Sequence, residues 1–232
     1  MPERDAPPQL RIVNKFLKNL HHHNLILFSA VISIALFIVI TIAVTIGAVA
    51  PLDNFWTNIF AKVFTGGVLG INQLNFLVFV TNIASPLVLA SLSVVVYSIL
   101  IWRKRGFYDL VFITALTIGI ILTIATKYLL DVPRPSLNLV NSFTPSFPSS
   151  HTALATIFFL TVAYAFRHEV RSLILGRVFE IICFVLIILI ATSRFLLGAH
   201  RPSEIVAGFL IGVFSVTFSL LLFKRFEQKS GV

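Results

Sequence analysis

From Leu25 to Val49 the chain runs for 25 residues without a charged side chain, and that run limits what the molecule can fold into. A bilayer core of ~30 Å is crossed by about 20 apolar residues of helix. The apolar stretch of a signal peptide is shorter and ends at a small-residue cleavage site, which this run lacks. It therefore reads as a retained transmembrane helix, closed by Pro51 and Asp53. Composition agrees: 57% of positions are hydrophobic and 12% charged, where soluble domains carry roughly 45–50% and about 25%. Too few polar residues remain to coat a soluble domain of this length, so lipid is the expected solvent for most of the fold.

Backbone groups inside lipid must be satisfied within the segment, which makes the further apolar runs helices rather than open strands. A second span runs from near Asn82 to Trp102, or starts earlier, because Leu74–Val80 is also apolar and Pro86 would kink a longer helix. The third runs from Phe107 to about Ala125 and ends at Lys127; the fourth, short, covers His151–Phe166 and is closed by Arg167. Val178–Thr192 and Ile205–Phe223 make the fifth and sixth, the last stopped by Lys224 and Arg225. Between the first two spans, over residues 54–70, Phe55, Trp56, Ile59, Phe60, Val63 and Phe64 recur at helical spacing among Asn54, Asn58 and Lys62. That pattern predicts a helix lying in the membrane interface. The expected fold is all-α: one six-helix transmembrane domain over 25–223, between cytoplasmic tails at 1–24 and 224–232.

The formal charge of +9 does not point to nucleic acid, because no basic stripe interleaved with aromatics sits on a soluble domain. The cations instead fall in short clusters between apolar runs. Arg4, Arg11, Lys15 and Lys18 precede the first span, Arg103–Arg105 follow the second, Arg167, Arg171 and Arg177 separate the fourth and fifth, and Lys224, Arg225 and Lys229 end the chain. These thirteen of the 18 lysines and arginines lie on one side of a six-span chain. The positive-inside rule makes that side cytoplasmic, giving a multi-pass protein of the cell (inner) membrane with both termini in the cytoplasm. Lys62, Lys127, Arg134, Arg194 and Arg201 lie on the opposite side, four of them within 127–134 and 194–201. Basic residues kept where orientation disfavours them have another task.

Three polar stretches hold those four cations or adjoin them. They are Lys127-Tyr-Leu-Leu-Asp-Val-Pro-Arg134-Pro135, then Pro148-Ser149-Ser150-His151, then Ser193-Arg194-Phe-Leu-Leu-Gly-Ala-His200-Arg-Pro-Ser-Glu204. The crossings between them bring all three to one outer, extracytoplasmic depth. Three permanent cations, Lys127, Arg134 and Arg194, suit a dianion, and the arginine fork matches phosphate oxygens in pairs. Ser149 and Ser150 precede a helix whose free N–H groups favour an anion. His151 and His200 can divide the work of general acid and nucleophile. Glu204, four residues after His200, shares its helix face and can fix its tautomer. Taken singly, Lys127 and Arg194 would be snorkelling helix ends, Ser149 an N-cap and Glu204 a complement to a helix start. Those separate readings do not account for seven such groups at one depth. One carboxylate among three cations would repel a divalent metal, so neither metal nor cofactor is expected.

These stretches resemble the signature of the type 2 phosphatidic acid phosphatase (PAP2) superfamily, K-x6-R-P, P-S-G-H and S-R-x5-H-x3-D. The first matches in full at Lys127, Arg134 and Pro135; the second carries Ser150 in place of glycine; the third carries Glu204 in place of aspartate. A serine at 150 suffices if its N–H is what matters and would be strained at a positive φ. The resemblance covers about residues 82–223 and implies a metal-independent lipid phosphatase. It implies His200 as the nucleophile forming a phosphohistidine, Glu204 orienting it and His151 as general acid and base. Lys127, Arg134, Ser149, Ser150 and Arg194 would hold the phosphoryl oxygens. It implies a substrate among polyprenyl (undecaprenyl) diphosphate, phosphatidic acid and phosphatidylglycerol phosphate, with polyprenyl diphosphate favoured. Lipid-to-lipid phosphotransfer and a non-catalytic lipid-binding or transport protein are the alternatives.

Other features carry less. Cys183 is the only cysteine, so no intramolecular disulfide exists. His21–His23 read as a juxtamembrane polar patch. Gly208 and Gly212 form a small-x-x-x-small step that brings a helix close, within the protomer or across a homodimer. Arg201 reads as an extra anion anchor or an interface charge; Tyr128 and Asp131 receive no role.

Overall fold

The computed structural model describes residues 8–65, 70–135, 139, 144–167 and 172–230, so Arg4, Arg171 and residues 66–69 of the 54–70 segment lie outside the described residues. The described chain is helical, with no strand: α1 (Pro8–Thr45), α2 (Ala50–Thr65), α3 (Ile71–Ile83), α4 (Pro86–Trp102), α5 (Gly106–Leu130), α6 (Ser150–Phe166), α7 (Leu173–Leu196) and α8 (Pro202–Ser230). Among the described residues, four helices are long and apolar enough to cross a membrane: His23–Thr45 of α1, α5, α7 and Pro202–Lys224 of α8.

The second span takes the broken alternative. α3 and α4 meet at 45° and together make a fifth candidate crossing. Ser85 caps α4 through its hydroxyl, and Pro86 at the first helical position fits there because that N–H would be unpaired anyway. α6, at 17 residues, falls short of the other four. The helices α5, α7 and α8 each run beyond the apolar limits read from sequence, since helix hydrogen bonding continues through Lys127, Arg194 and the first turn at Glu204. The helix over the segment expected to lie in the interface, α2, begins at Ala50, ahead of the predicted Asn54.

α6 sits at the centre. Buried residues occur on every face of it, including Thr152, Ala153, Thr156, Ile157, Phe158 and Ala163, as expected of a helix that is apolar all round. α8 is half buried over its crossing window, whereas α1 buries 17% of its own and presents Phe28, Val31, Val39 and Ile42 outward.

The α6–α8 seam depends on glycine. A Cβ on Gly208 would lie 2.5 Å from the Ser149 carbonyl oxygen, and one on Gly212 would lie 2.5 Å from Thr156 Cβ. The small-residue step thus brings together two helices of one protomer. α1 packs along α8, and its Phe37 stacks on Phe147, 6.3 Å between centroids, supporting the loop that leads into α6.

Candidate active site

The end of α5, the start of α6, the end of α7 and the start of α8 meet in one polar cluster, and each element delivers one part. Lys127 lies in the last turn of α5, and its Nζ donates to the Pro145 carbonyl at 2.5 Å. Asp131, in the left-handed conformation (φ 44°), ends the helix. The chain then turns so that Arg134 donates from Nε to Thr144 O at 2.9 Å and from Nη1 to Ala199 O at 3.0 Å. Arg134 thus ties the first motif to the loop carrying His200. Burial lowers its proton affinity and the charge of Glu204 offsets part of that, leaving an arginine that stays cationic.

Ser149 is the N-cap of α6. Its hydroxyl accepts from Thr152 Oγ1 at 3.0 Å and, at 3.5 Å, from Thr152 N. Its own N–H donates to the Glu204 carbonyl at 3.0 Å. Ser150 opens the helix and does not have a positive φ, so the departure from glycine carries no backbone strain. His151 is half-buried at the helix N-terminus. Arg194, Arg134, Lys127 and the ring of His200 all lie close enough to act on it electrostatically.

The third motif forms the densest part. α7 ends at Leu196, Gly198 takes φ 63° and returns the chain, and His200 N donates to Arg194 O at 3.2 Å. His200 is 2% exposed and Glu204 1%. Their contact, His200 Nδ1 to Glu204 Oε2, is 2.9 Å. A carboxylate at Nδ1 assigns the proton to that nitrogen and leaves the lone pair on Nε2. Glu204 Oε1 also accepts from Ser146 Oγ at 2.8 Å and from Arg201 Nη1 at 3.0 Å, while Arg201 N donates to Oε2 at 3.2 Å. The longer glutamate reaches the imidazole without leaving a lone pair idle. His200 is held well below its ordinary pKa, first by burial and then by the cations of Arg194, Arg134 and Lys127; it is neutral at neutral pH.

Arg194 is 2% exposed. Its Nη1 donates to Thr81 Oγ1 of α3 at 2.9 Å, and its Nε is buried with no partner.

All eight sequence-predicted site residues, Lys127, Arg134, Ser149, Ser150, His151, Arg194, His200 and Glu204, therefore lie in or beside this cluster. Arg201, read from sequence as an anion anchor or an interface charge, braces Glu204 Oε1 at 3.0 Å and donates to Pro133 O at 2.9 Å. Sequence reasoning missed Ser146, Thr81 and Asp53. Buried Asp53 of α2 accepts from Ser203 Oγ at 2.5 Å and Ser203 N at 3.2 Å at the start of α8. Burial is the main reason that its pKa is raised. These partners are 58, 113 and 150 residues apart in the chain, and no local pattern announces them.

Two solved structures share this fold. A PAP2-type phosphatidylglycerolphosphate phosphatase from Bacillus subtilis superposes with a TM-score of 0.75 at 21% identity, covering 87% of this chain and 97% of its own. LpxE from Aquifex aeolicus superposes at 0.56 with 24% identity, covering 70% of this chain and 93% of its own. By sequence, no curated protein matches the chain. The PAP2 superfamily model matches residues 108–228, a stretch that contains every motif position described above. By that match, the chain is a membrane phosphatase of the PAP2 superfamily.

Proposed function

We propose that the protein releases phosphate from a lipid phosphate or diphosphate at the extracytoplasmic face through a phosphohistidine. The observation that carries the reading is the neutral, buried His200, fixed through Nδ1 by Glu204 at 2.9 Å amid Lys127, Arg134 and Arg194. His200 Nε2 attacks phosphorus; the N–P bond forms as the bond to the lipid oxygen breaks, and His151 protonates that oxygen. In the second step His151 takes a proton from water, whose oxygen displaces His200 to give inorganic phosphate. The three cations, Ser149 and the N–H groups at the start of α6 hold the transferring oxygens. Charge stabilisation and in-line positioning are what phosphoryl transfer asks of a protein.

Counting the bent α3–α4 pair as one crossing and the short α6 as another gives six, and on that count these helix ends would lie opposite the thirteen clustered cations of the sequence. This supports an outward site and cytoplasmic termini. Polyprenyl diphosphate, phosphatidic acid and phosphatidylglycerol phosphate are the substrates to compare, the last also named for the Bacillus subtilis neighbour.

The test is phosphate release by the purified full chain from these lipids in detergent micelles containing EDTA. Wild type turns over, and His200→Ala loses at least about 10⁴-fold. Retained activity in that variant overturns the nucleophile assignment. No release from any lipid by wild type favours a lipid-binding or transport role.

A further inference from the structure

Arg194 is fixed from two directions. Its carbonyl oxygen accepts from Ala199 N at 3.1 Å and from His200 N at 3.2 Å, which ties its backbone to the loop carrying His200. Its side chain is held by α3, a helix outside the three motifs: Nη1 donates to Thr81 Oγ1 at 2.9 Å. Thr81 is buried in the last turn of α3, just before the break at Ser85 and Pro86. Other helical threonines, such as Thr117, Thr156 and Thr161, donate back to the carbonyl one turn earlier. The Thr81 hydroxyl faces α7 and serves a cation. The stretch that the superfamily model matches begins at residue 108, so Thr81 lies outside it.

This bond decides which edge of the guanidinium is left over. The group is planar and rigid. Its Nε–H and one Nη2–H run parallel to each other and point directly away from Nη1. With Nη1 turned to α3, that edge faces the opposite way. α3 packs chiefly on α7 and α4, whereas Lys127, His151 and Glu204 are carried by α5, α6 and α8. The two imidazoles indicate the same direction: of the three motif cations, Arg194 acts most strongly on both His151 and His200. The Nε hydrogen is buried without a partner, a cost that an arriving acceptor removes. Two parallel N–H groups are the pattern that takes two oxygens of one phosphoryl group.

We infer that Thr81 is a positioning residue for phosphoryl transfer: it holds Nη1 so that the Nε–Nη2 edge of Arg194 receives two oxygens of the transferring group. This rests on the phosphatase reading above and adds to it a residue and the edge used. Without that anchor the guanidinium keeps its charge but can turn about its last bonds, so the loss falls on alignment.

The lipid that wild type turns over fastest among phosphatidic acid, phosphatidylglycerol phosphate and polyprenyl diphosphate serves as substrate for the full chain in mixed micelles. Thr81→Val, nearly isosteric but without an acceptor, should lower kcat/KM about tenfold, and Thr81→Ser should recover most of it. In an Arg194→Lys background, where no Nη1 exists, Thr81→Val should cost less than about twofold, because the two residues act as one unit. A Thr81 that only supports the fold would instead multiply its loss with that of Arg194→Lys. A second measurement needs no variant of Thr81. The Arg194 Nε–H resonance of wild type, identified by its absence in Arg194→Lys, should shift when inorganic phosphate is added at concentrations that inhibit turnover. Wild-type kcat/KM in Thr81→Val, multiplying losses in the double variant, or an Nε–H resonance that phosphate leaves unmoved each overturns the inference. Each leaves the phosphatase reading intact, whereas absence of phosphate release from every lipid sinks that reading first.

Discussion

The two sides of the polar cluster differ in how completely their hydrogen bonds are made. On the His200 side, Glu204 accepts from His200, Ser146, Arg201 Nη1 and Arg201 N, so the carboxylate is fully engaged. On the other side, Arg194 commits one nitrogen to Thr81 and keeps a buried Nε without partner, and Thr123 is likewise unpaired. A saturated network is rigid and specifies one geometry. Buried donors left open mark where a ligand supplies the missing acceptors. In the proposed mechanism, the contrast separates what would hold the nucleophile from what would meet the substrate.

Changing Glu204 tests the saturated side most severely. In Glu204→Gln the amide can present an N–H to the imidazole and reverse its tautomer. Loss of a tautomer-fixing carboxylate acts on the order of 10³–10⁴ in kcat, and single-turnover phosphate release should show that drop with little change in lipid binding. A loss confined to KM would break the contrast. On the open side, Arg194→Lys keeps the charge but not the planar fork. About 10²-fold lower kcat/KM is expected, the scale of one lost transition-state donor, and inorganic phosphate should inhibit the variant less.

A third measurement concerns protons. His200 binds a proton less readily in the folded chain than in the unfolded one. As pH falls through about 6.5 the unfolded chain takes up the proton and the folded chain does not. The His200 contribution to stability is therefore present above that pH and lost below it. The thermal midpoint should decline from pH 6.5 downward, less so in His200→Gln. The smallest effect belongs to Asp53→Ala, which removes the acceptor of Ser203 N and Oγ. About 1 kcal/mol, the usual worth of a helix cap, should appear as a lower thermal midpoint with kcat changed only a few-fold.

Much of this was legible beforehand. Motif spacing identified the cluster because its members repeat at fixed intervals near helix ends. The span from Leu25 was legible because its length has one physical explanation. What sequence could not supply were the supports. Ser146, Thr81 and Asp53 are ordinary residues whose partners are distant in the chain. Helix ends were underestimated for a related reason: hydropathy stops at the first charge, whereas the helix carries Lys127 and Arg194 onward within its last turn. Pro86 showed that a break was allowed; packing decided that it was taken.

The contact at Gly208 separates two engineering problems. The helix bearing His151 and the helix that starts beside His200 are gauged against each other by backbone touching backbone, so their spacing does not depend on which side chains line the rest of the bundle. The cavity between α4, α5 and α6 draws much of its wall from elsewhere, from Leu89, Ile113 and Ile120. Substitutions in α4 and in the turns of α5 before Thr123 should therefore leave the alignment of the polar cluster intact, provided that 149–153 and 208–212 are untouched.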